Sequence, residues 1–124
     1  MQTTDLKTFE YYYVAADDAT RSEYDNSQGG TPDEVAYRKL KLIIKVANAT
    51  IKGKPWVPDW DDFSQKKWFP VFRLSSGSGF SLSHCHFTAA TTGFGSRLCF
   101  CSEDLSDAIA SQFIDLYKDL LTIK

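Results

Sequence analysis

Apolar residues recur at helical spacing near both ends of the chain. Leu6, Phe9 and Tyr13 predict a short first helix over residues 5–16, and Thr4 is suited to cap its start. Near the C-terminus Ser102 is a typical N-cap, and the apolar positions after it predict one continuous helix that packs on a sheet. These positions are Leu105, Ile109, Phe113, Leu116 and Leu120, flanked by Ala108, Tyr117 and Leu121.

A second helix has the clearest start signal in the chain. Thr31 fits the N-cap, Pro32 the first helical position, and Glu34 the reciprocal partner of a T-x-x-E capping box. Gly53 and Pro55 predict its end. Its apolar face comprises Ala36, Leu40, Ile43, Ala47 and Ile51, broadened by Ile44.

Three segments further along favour strands. They cover residues 69–74, 79–88 and 96–101, and turns rich in glycine and serine separate them. Pro70 is tolerable because it stands near the start of its strand. The pattern therefore predicts an α+β fold with N-terminal helices, a three-stranded antiparallel meander and a C-terminal helix packed on the sheet.

The chain length of 124 residues is typical of a single domain, here residues 1–124. Residues 17–30 are polar, acidic and end in two glycines, which predicts a flexible linker between the first two helices. Residues 54–70 hold all the tryptophans together with three prolines. We expect an irregular crossing segment there, with Trp56, Trp60 and Phe63 lying over the core.

The charge balance argues against a binder of duplex DNA. The chain has 14 basic and 16 acidic residues, and so lacks the basic excess that drives counterion release. We see no secretory signal and no apolar run long enough to span a membrane. The odd number of cysteines indicates free thiols, so a cytoplasmic protein is expected.

His84-x-His86 and Cys99-x-Cys101 form the sharpest chemical candidate, because two imidazoles and two thiolates suit tetrahedral zinc. Strand alternation argues against it. With Phe80 and Leu82 facing the core, the histidines point inward, while the cysteines oppose the apolar residues of their own strand and point outward. We therefore predict no metal, no cofactor and no cysteine–histidine catalytic pair.

The glycine-rich turns are a candidate anion site. Backbone N–H groups of such turns, together with an arginine, bind phosphates. Neither turn matches a P-loop or a dinucleotide fingerprint. The candidate residues are Ser76, Gly77 and Gly79 in the first turn and Gly95, Ser96 and Arg97 in the second.

Aromatic residues interleaved with cations suggest two further functions. Trp56, Trp60 and Trp68 are residues of the type that anchors protein interfaces, which we favour. The neighbouring Lys66, Lys67 and Arg73 leave single-stranded nucleic acid open, since bases stack on rings while cations follow the backbone.

Five motifs resemble a family of small uncharacterised proteins encoded by phages and prophages of gut bacteria. The resemblance covers residues 39–121, and G-S-R-L-C-F with Q-F-I-D-L-Y-K-D is its most specific combination. The motifs are W-V-P-D-W (56–60), W-F-P-V-F (68–72), L-S-S-G-S-G-F (74–80), G-S-R-L-C-F (95–100) and Q-F-I-D-L-Y-K-D (112–119).

The resemblance implies a phage accessory protein in the host cytoplasm, with no catalytic residues to carry over. At His84, Cys85, His86 and Cys101 the chain departs from the family pattern, which weakens the metal hypothesis further. We expect a non-enzymatic protein-interaction module. The alternative is a binder of single-stranded nucleic acid or a phosphorylated small molecule, and an enzyme comes third.

Overall fold

The computed structural model describes residues 7–75, 79–92 and 95–122. Within these residues the chain forms five α-helices and a two-stranded antiparallel sheet, so the α+β class is confirmed and the three-stranded meander is wrong. The helices are α1 (Phe9–Ala15), α2 (Asp18–Asp25), α3 (Pro32–Lys52), α4 (Glu103–Gln112) and α5 (Ile114–Leu121), and the strands are β1 (Lys67–Ser75) and β2 (Gly79–Thr88).

Helix α3 forms the centre of the fold and begins as its sequence predicts. The N–H of Thr31 donates to Oε1 of Glu34 at 3.0 Å, which is the returning half of the capping box. Gly53 ends the helix at φ 73°, a conformation that favours glycine. The predicted apolar face is buried except at Ile51, which is 51% exposed.

The segment predicted to be a flexible linker contains α2, which is a correction. Polar residues form this helix because hydrogen bonds stabilise it more than apolar burial does. The carboxylate of Asp17 accepts the N–H of Thr20 at 2.7 Å, and the guanidinium of Arg21 donates to the carbonyl of Val14 at 2.9 Å in α1. Helix α1 is capped by Thr8, while Thr4 and Leu6 lie outside the described residues.

A β-bulge interrupts the hairpin and changes which side chains face the core. Val71 pairs with His84 but Phe72 pairs with Leu82, so Ser83 is an extra residue in β2. One inserted residue reverses the alternation beyond it. Leu82 therefore packs against the core while His84, only two positions later, is exposed.

The third predicted strand is replaced by a short 3₁₀ turn (Ser96–Leu98) and an isolated bridge. Phe100 exchanges two backbone hydrogen bonds with Trp68, at 2.8 and 2.9 Å. On the other side of this segment, the Asn48 side chain donates to the carbonyl of Cys99 and accepts the N–H of Cys101, both at 2.9 Å. A side chain from α3 thus satisfies the backbone groups on the edge of this segment that faces away from β1.

The predicted C-terminal helix is two helices. Ser102 caps the first as expected, accepting the N–H of Leu105 at 3.2 Å, but the chain breaks at Phe113, whose φ and ψ are −109° and 34°. The break lets α4 pack across both strands while α5 packs on α3. No helix in the described part of the chain is both long enough and apolar enough to cross a membrane.

Candidate anion-binding groove

A groove of about 360 Å³ separates α3 from the crossing segment and the 3₁₀ turn. Its volume is within the range of small-molecule sites, about 300–1,000 Å³. It brings together three residues predicted for binding, Trp56, Ser96 and Arg97. The lining is Glu23 of α2, Lys41, Ile44, Lys45 and Asn48 of α3, Trp56, Val57 and Pro58 of the crossing segment, and Ser96 and Arg97 of the turn.

The crossing segment is irregular between residues 54 and 66, as predicted, and its own side chains hold it in place. The side-chain amide of Gln65 accepts the N–H of Asp59 at 2.6 Å and donates to the carbonyl of Val57 at 3.3 Å. Trp56 is half-buried, but Phe63 is 71% exposed and does not cover the core. Hydrogen bonds made by the Gln65 side chain therefore hold the groove wall formed by residues 56–58 in place.

Trp60 has a structural role. Its indole N–H donates to Oγ of Ser96 at 2.7 Å, which ties the crossing segment to the 3₁₀ turn. The ammonium of Lys67 lies 5.2 Å from the centre of the Trp60 ring and donates to the carbonyls of Asp62 and Ala89. Lys67 is fully buried, so its ammonium group interacts with groups inside the protein and does not contact solvent.

The groove carries a surplus of positive charge. Lys41 forms an ion pair with Glu23, whereas neither Lys45 nor Arg97 has a hydrogen-bond or ion-pair partner among the described residues. The hydrogen bond from Lys41 lowers the pKa of Glu23, and the charges of Lys41, Lys45 and Arg97 lower it further. Glu23 is thus ionised and neutralises one of three cations, which leaves the groove attractive to an anion.

Ser96 keeps the capacity to donate a hydrogen bond. Because its oxygen accepts from Trp60, the hydroxyl hydrogen remains for a ligand in the groove. Gly95 does not contribute as predicted, since its N–H donates to Oγ1 of Thr92 at 2.8 Å. Its φ of 87° precedes the 3₁₀ turn, a conformation that favours glycine.

The remaining predicted binding residues are elsewhere. Arg73 and Gly79 lie towards the hairpin end of the sheet, while Phe100 pairs with Trp68 near the opposite end. At about 3.3 Å per residue, Arg73 is roughly 20 Å along β1 from Lys67. Arg73 and Gly79 therefore do not lie on one rim with Ser96 and Arg97, and Ser76 and Gly77 lie outside the described residues.

The predicted aromatic and basic surface is also divided. Trp68 packs against the core and lies 4.9 Å from the Phe87 ring, while Lys66 lies 4.7 Å from the same ring. With Lys67 buried and Arg73 exposed on β1, these cations do not line one track. A continuous path for a nucleic-acid backbone would need such a track.

The histidines and cysteines are separated by the sheet, and both predicted orientations are wrong. The bulge turns His84 and His86 outward, where both are exposed, while Cys99 is 2% exposed and Cys101 is half-buried against the core. No group of three metal-ligating side chains occurs within residues 7–75, 79–92 and 95–122. Burial raises the pKa of Cys85, Cys99 and Cys101, so these thiols are poor nucleophiles at neutral pH.

Sequence reasoning missed Lys41, Lys45 and Asn48. Their spacing of four and three residues contains the signal, because positions i, i+4 and i+7 share one side of a helix. This polar stripe borders the buried face of α3 and forms one wall of the groove.

Comparisons with known proteins do not identify this chain, since no protein-family model, no curated protein and no solved structure matches it.

Proposed function

We propose that this is a non-enzymatic binding protein that holds a phosphate-bearing small molecule in the groove beside Arg97. The observation that carries the proposal is that one groove holds the Ser96 hydroxyl and two cations, Lys45 and Arg97, that have no hydrogen-bond or ion-pair partner among the described residues. Hydrogen bonds from charged donors contribute about 1.5–3 kcal/mol each, and an arginine binds two phosphate oxygens at once.

Among the described residues, the groove has no histidine, cysteine or free carboxylate that could act as a general base. Its one carboxylate, Glu23, is paired with Lys41. General acid–base work requires a group free to exchange a proton with the substrate. Binding without turnover is therefore the function that the lining supports.

A protein interface anchored by three tryptophans has less support. Trp60 is engaged with Ser96 and Lys67, and Trp68 with Phe87 and the core, so Trp56 alone faces the groove. A phage or prophage origin and a cytoplasmic location remain predictions from the resemblance and from the free thiols.

The test is titration with inorganic pyrophosphate, followed by calorimetry and by the amide NMR signals of Ser96 and Arg97. We expect saturable binding that weakens as salt is added. Arg97→Ala should weaken it about 10- to 100-fold, which corresponds to about 1.4–2.7 kcal/mol. Arg73→Ala is the matched control, because Arg73 is also exposed but lies on β1, and equal binding by the two variants would refute the proposal.

A further inference from the structure

A second depression of about 440 Å³ adjoins the groove. The two share Lys45, Trp56 and Val57, so Trp56 forms a ridge between them. The second depression is lined by Ala15, Ala16, Asp17 and Thr20, by Lys45, Val46, Ala49 and Thr50, and by Gly53, Lys54, Pro55, Trp56 and Val57.

The two depressions differ in chemistry. The floor of the second is made of small apolar groups, including Ala16, Val46 and Ala49. Its carboxylate, Asp17, is held by Thr20, and those hydrogen bonds lower its pKa, so a negative charge stands there at neutral pH. Two cations, Lys45 and Lys54, also line this depression, and its apolar floor suits an uncharged, flat group.

The geometry points to a nucleotide, a phosphate joined to a flat base, as the class of ligand, and this inference depends on the proposed function. Its phosphate lies against Arg97 and Lys45, and its base stacks on Trp56 and extends over the apolar floor of the second depression. Every base has a flat π-face, so any of the bases can stack on an aromatic side chain. A ligand without a base leaves the second depression empty.

The experiment compares adenosine 5′-monophosphate with ribose 5-phosphate, which has the phosphate and lacks the base. Both are titrated by calorimetry into the full chain. We expect the nucleotide to bind about 10-fold or more tightly, in line with the strength of base stacking. Equal affinities would overturn this inference while leaving the proposed function intact, and failure of both ligands to bind would overturn the two together.

Two variants locate the effect. Ala49→Phe fills the second depression and should remove the advantage of the nucleotide while leaving ribose 5-phosphate unchanged. Ala19→Phe is the control, since Ala19 is exposed on α2 and outside both depressions, and should change neither affinity. Trp56→Leu keeps an apolar side chain without an aromatic face and should weaken binding of the nucleotide more than binding of ribose 5-phosphate. If Ala49→Phe and Trp56→Leu both keep the full preference for the nucleotide, the base does not bind where we propose.

Discussion

Asn48 is the side chain whose removal tests the architecture most directly. It is 3% exposed, lies four residues before the end of α3, and bonds two backbone groups more than 50 positions later in the chain. Asn48→Ala removes both hydrogen bonds. The carbonyl of Cys99 and the N–H of Cys101 are then left without their partner.

The expected loss follows from the geometry. Each bond is 2.9 Å long, and a hydrogen bond of this kind contributes about 1 kcal/mol net. Leaving a buried backbone group unpaired costs about 1–3 kcal/mol more, and Cys99 is 2% exposed. We expect Asn48→Ala to lower the free energy of unfolding by about 3 kcal/mol, a large part of the roughly 5–15 kcal/mol of a typical domain.

Urea denaturation followed by circular dichroism measures this loss. The control is Asn26→Ala, because Asn26 is exposed at the end of α2 and its change should stay within about 0.5 kcal/mol. Asn48→Asp separates the two bonds, since at neutral pH a carboxylate keeps the acceptor for Cys101 and loses the donor for Cys99. We call the two hydrogen bonds from Asn48 to Cys99 and Cys101 the Asn48 clamp. If the Asn48→Ala and Asn26→Ala variants are equally stable, the Asn48 clamp does not contribute to the stability of the fold.

Three further changes test other parts of the fold. Tyr117→Phe should stabilise the protein by about 1 kcal/mol in thermal denaturation, because the Tyr117 hydroxyl is buried without a partner among the described residues; a loss of stability would mean that the hydroxyl is bonded. Lys67→Met should cost about 2–3 kcal/mol in urea by freeing the carbonyls of Asp62 and Ala89, whereas Lys66→Met on the exposed neighbour should be close to neutral. Hydrogen bonds from Thr31 lower the pKa of Glu34 in the folded protein. The ionised Glu34 carboxylate therefore stabilises the fold above the ordinary carboxyl pKa of about 4.3, and this stabilisation is lost as the pH falls through the lowered pKa. Glu34→Gln should therefore make the unfolding free energy fall less steeply below about pH 4, and an unchanged acid profile would contradict this.

Local signals were enough for the elements whose ends are fixed by neighbouring residues. The capping box at Thr31 and Glu34 and the glycine at 53 define α3, and β2 has the predicted bounds, Gly79–Thr88. Each of these signals acts within one turn of helix or one strand. The apolar periodicity then selects which face of α3 is buried.

The errors come from interactions that join distant parts of the chain. The break at Phe113 depends on α4 lying on the sheet while α5 lies on α3, although the spacing of apolar residues is compatible with one helix. The third strand is reduced to one bridge between Phe100 and Trp68, and Asn48 of α3 binds the other edge of that segment. Helix α2 was missed because capping and the contacts of Arg21 stabilise it more than apolar burial does.

The single residue inserted at Ser83 has the largest consequence for chemistry. Periodicity alone turns His84 and His86 towards the core, and only the pairing of Phe72 with Leu82 reveals that they face outward. Through the same bulge, Cys85 faces α4, where the buried Ser106 lies beside it. Residues that look like a metal site in the sequence are thereby divided between two faces.

The groove and the stability of the fold depend on the same contacts. Asn48 lines the groove and also holds residues 99–101, and Ser96 both faces the groove and accepts the hydrogen bond that anchors Trp60. A ligand that binds Arg97 and Ser96 in the folded state must therefore raise the unfolding free energy, by about 2.7 kcal/mol at 100 times its dissociation constant. Because Asn48→Ala loosens the segment that carries both residues, it should weaken ligand binding even though the Asn48 side chain need not contact the phosphate. Variants at Tyr117, which lies outside the groove, should change stability without changing affinity. Weaker binding in Asn48→Ala, with unchanged binding in Tyr117 variants, would show that the groove depends on the Asn48 clamp. Unchanged binding in both would show that the groove forms independently of it.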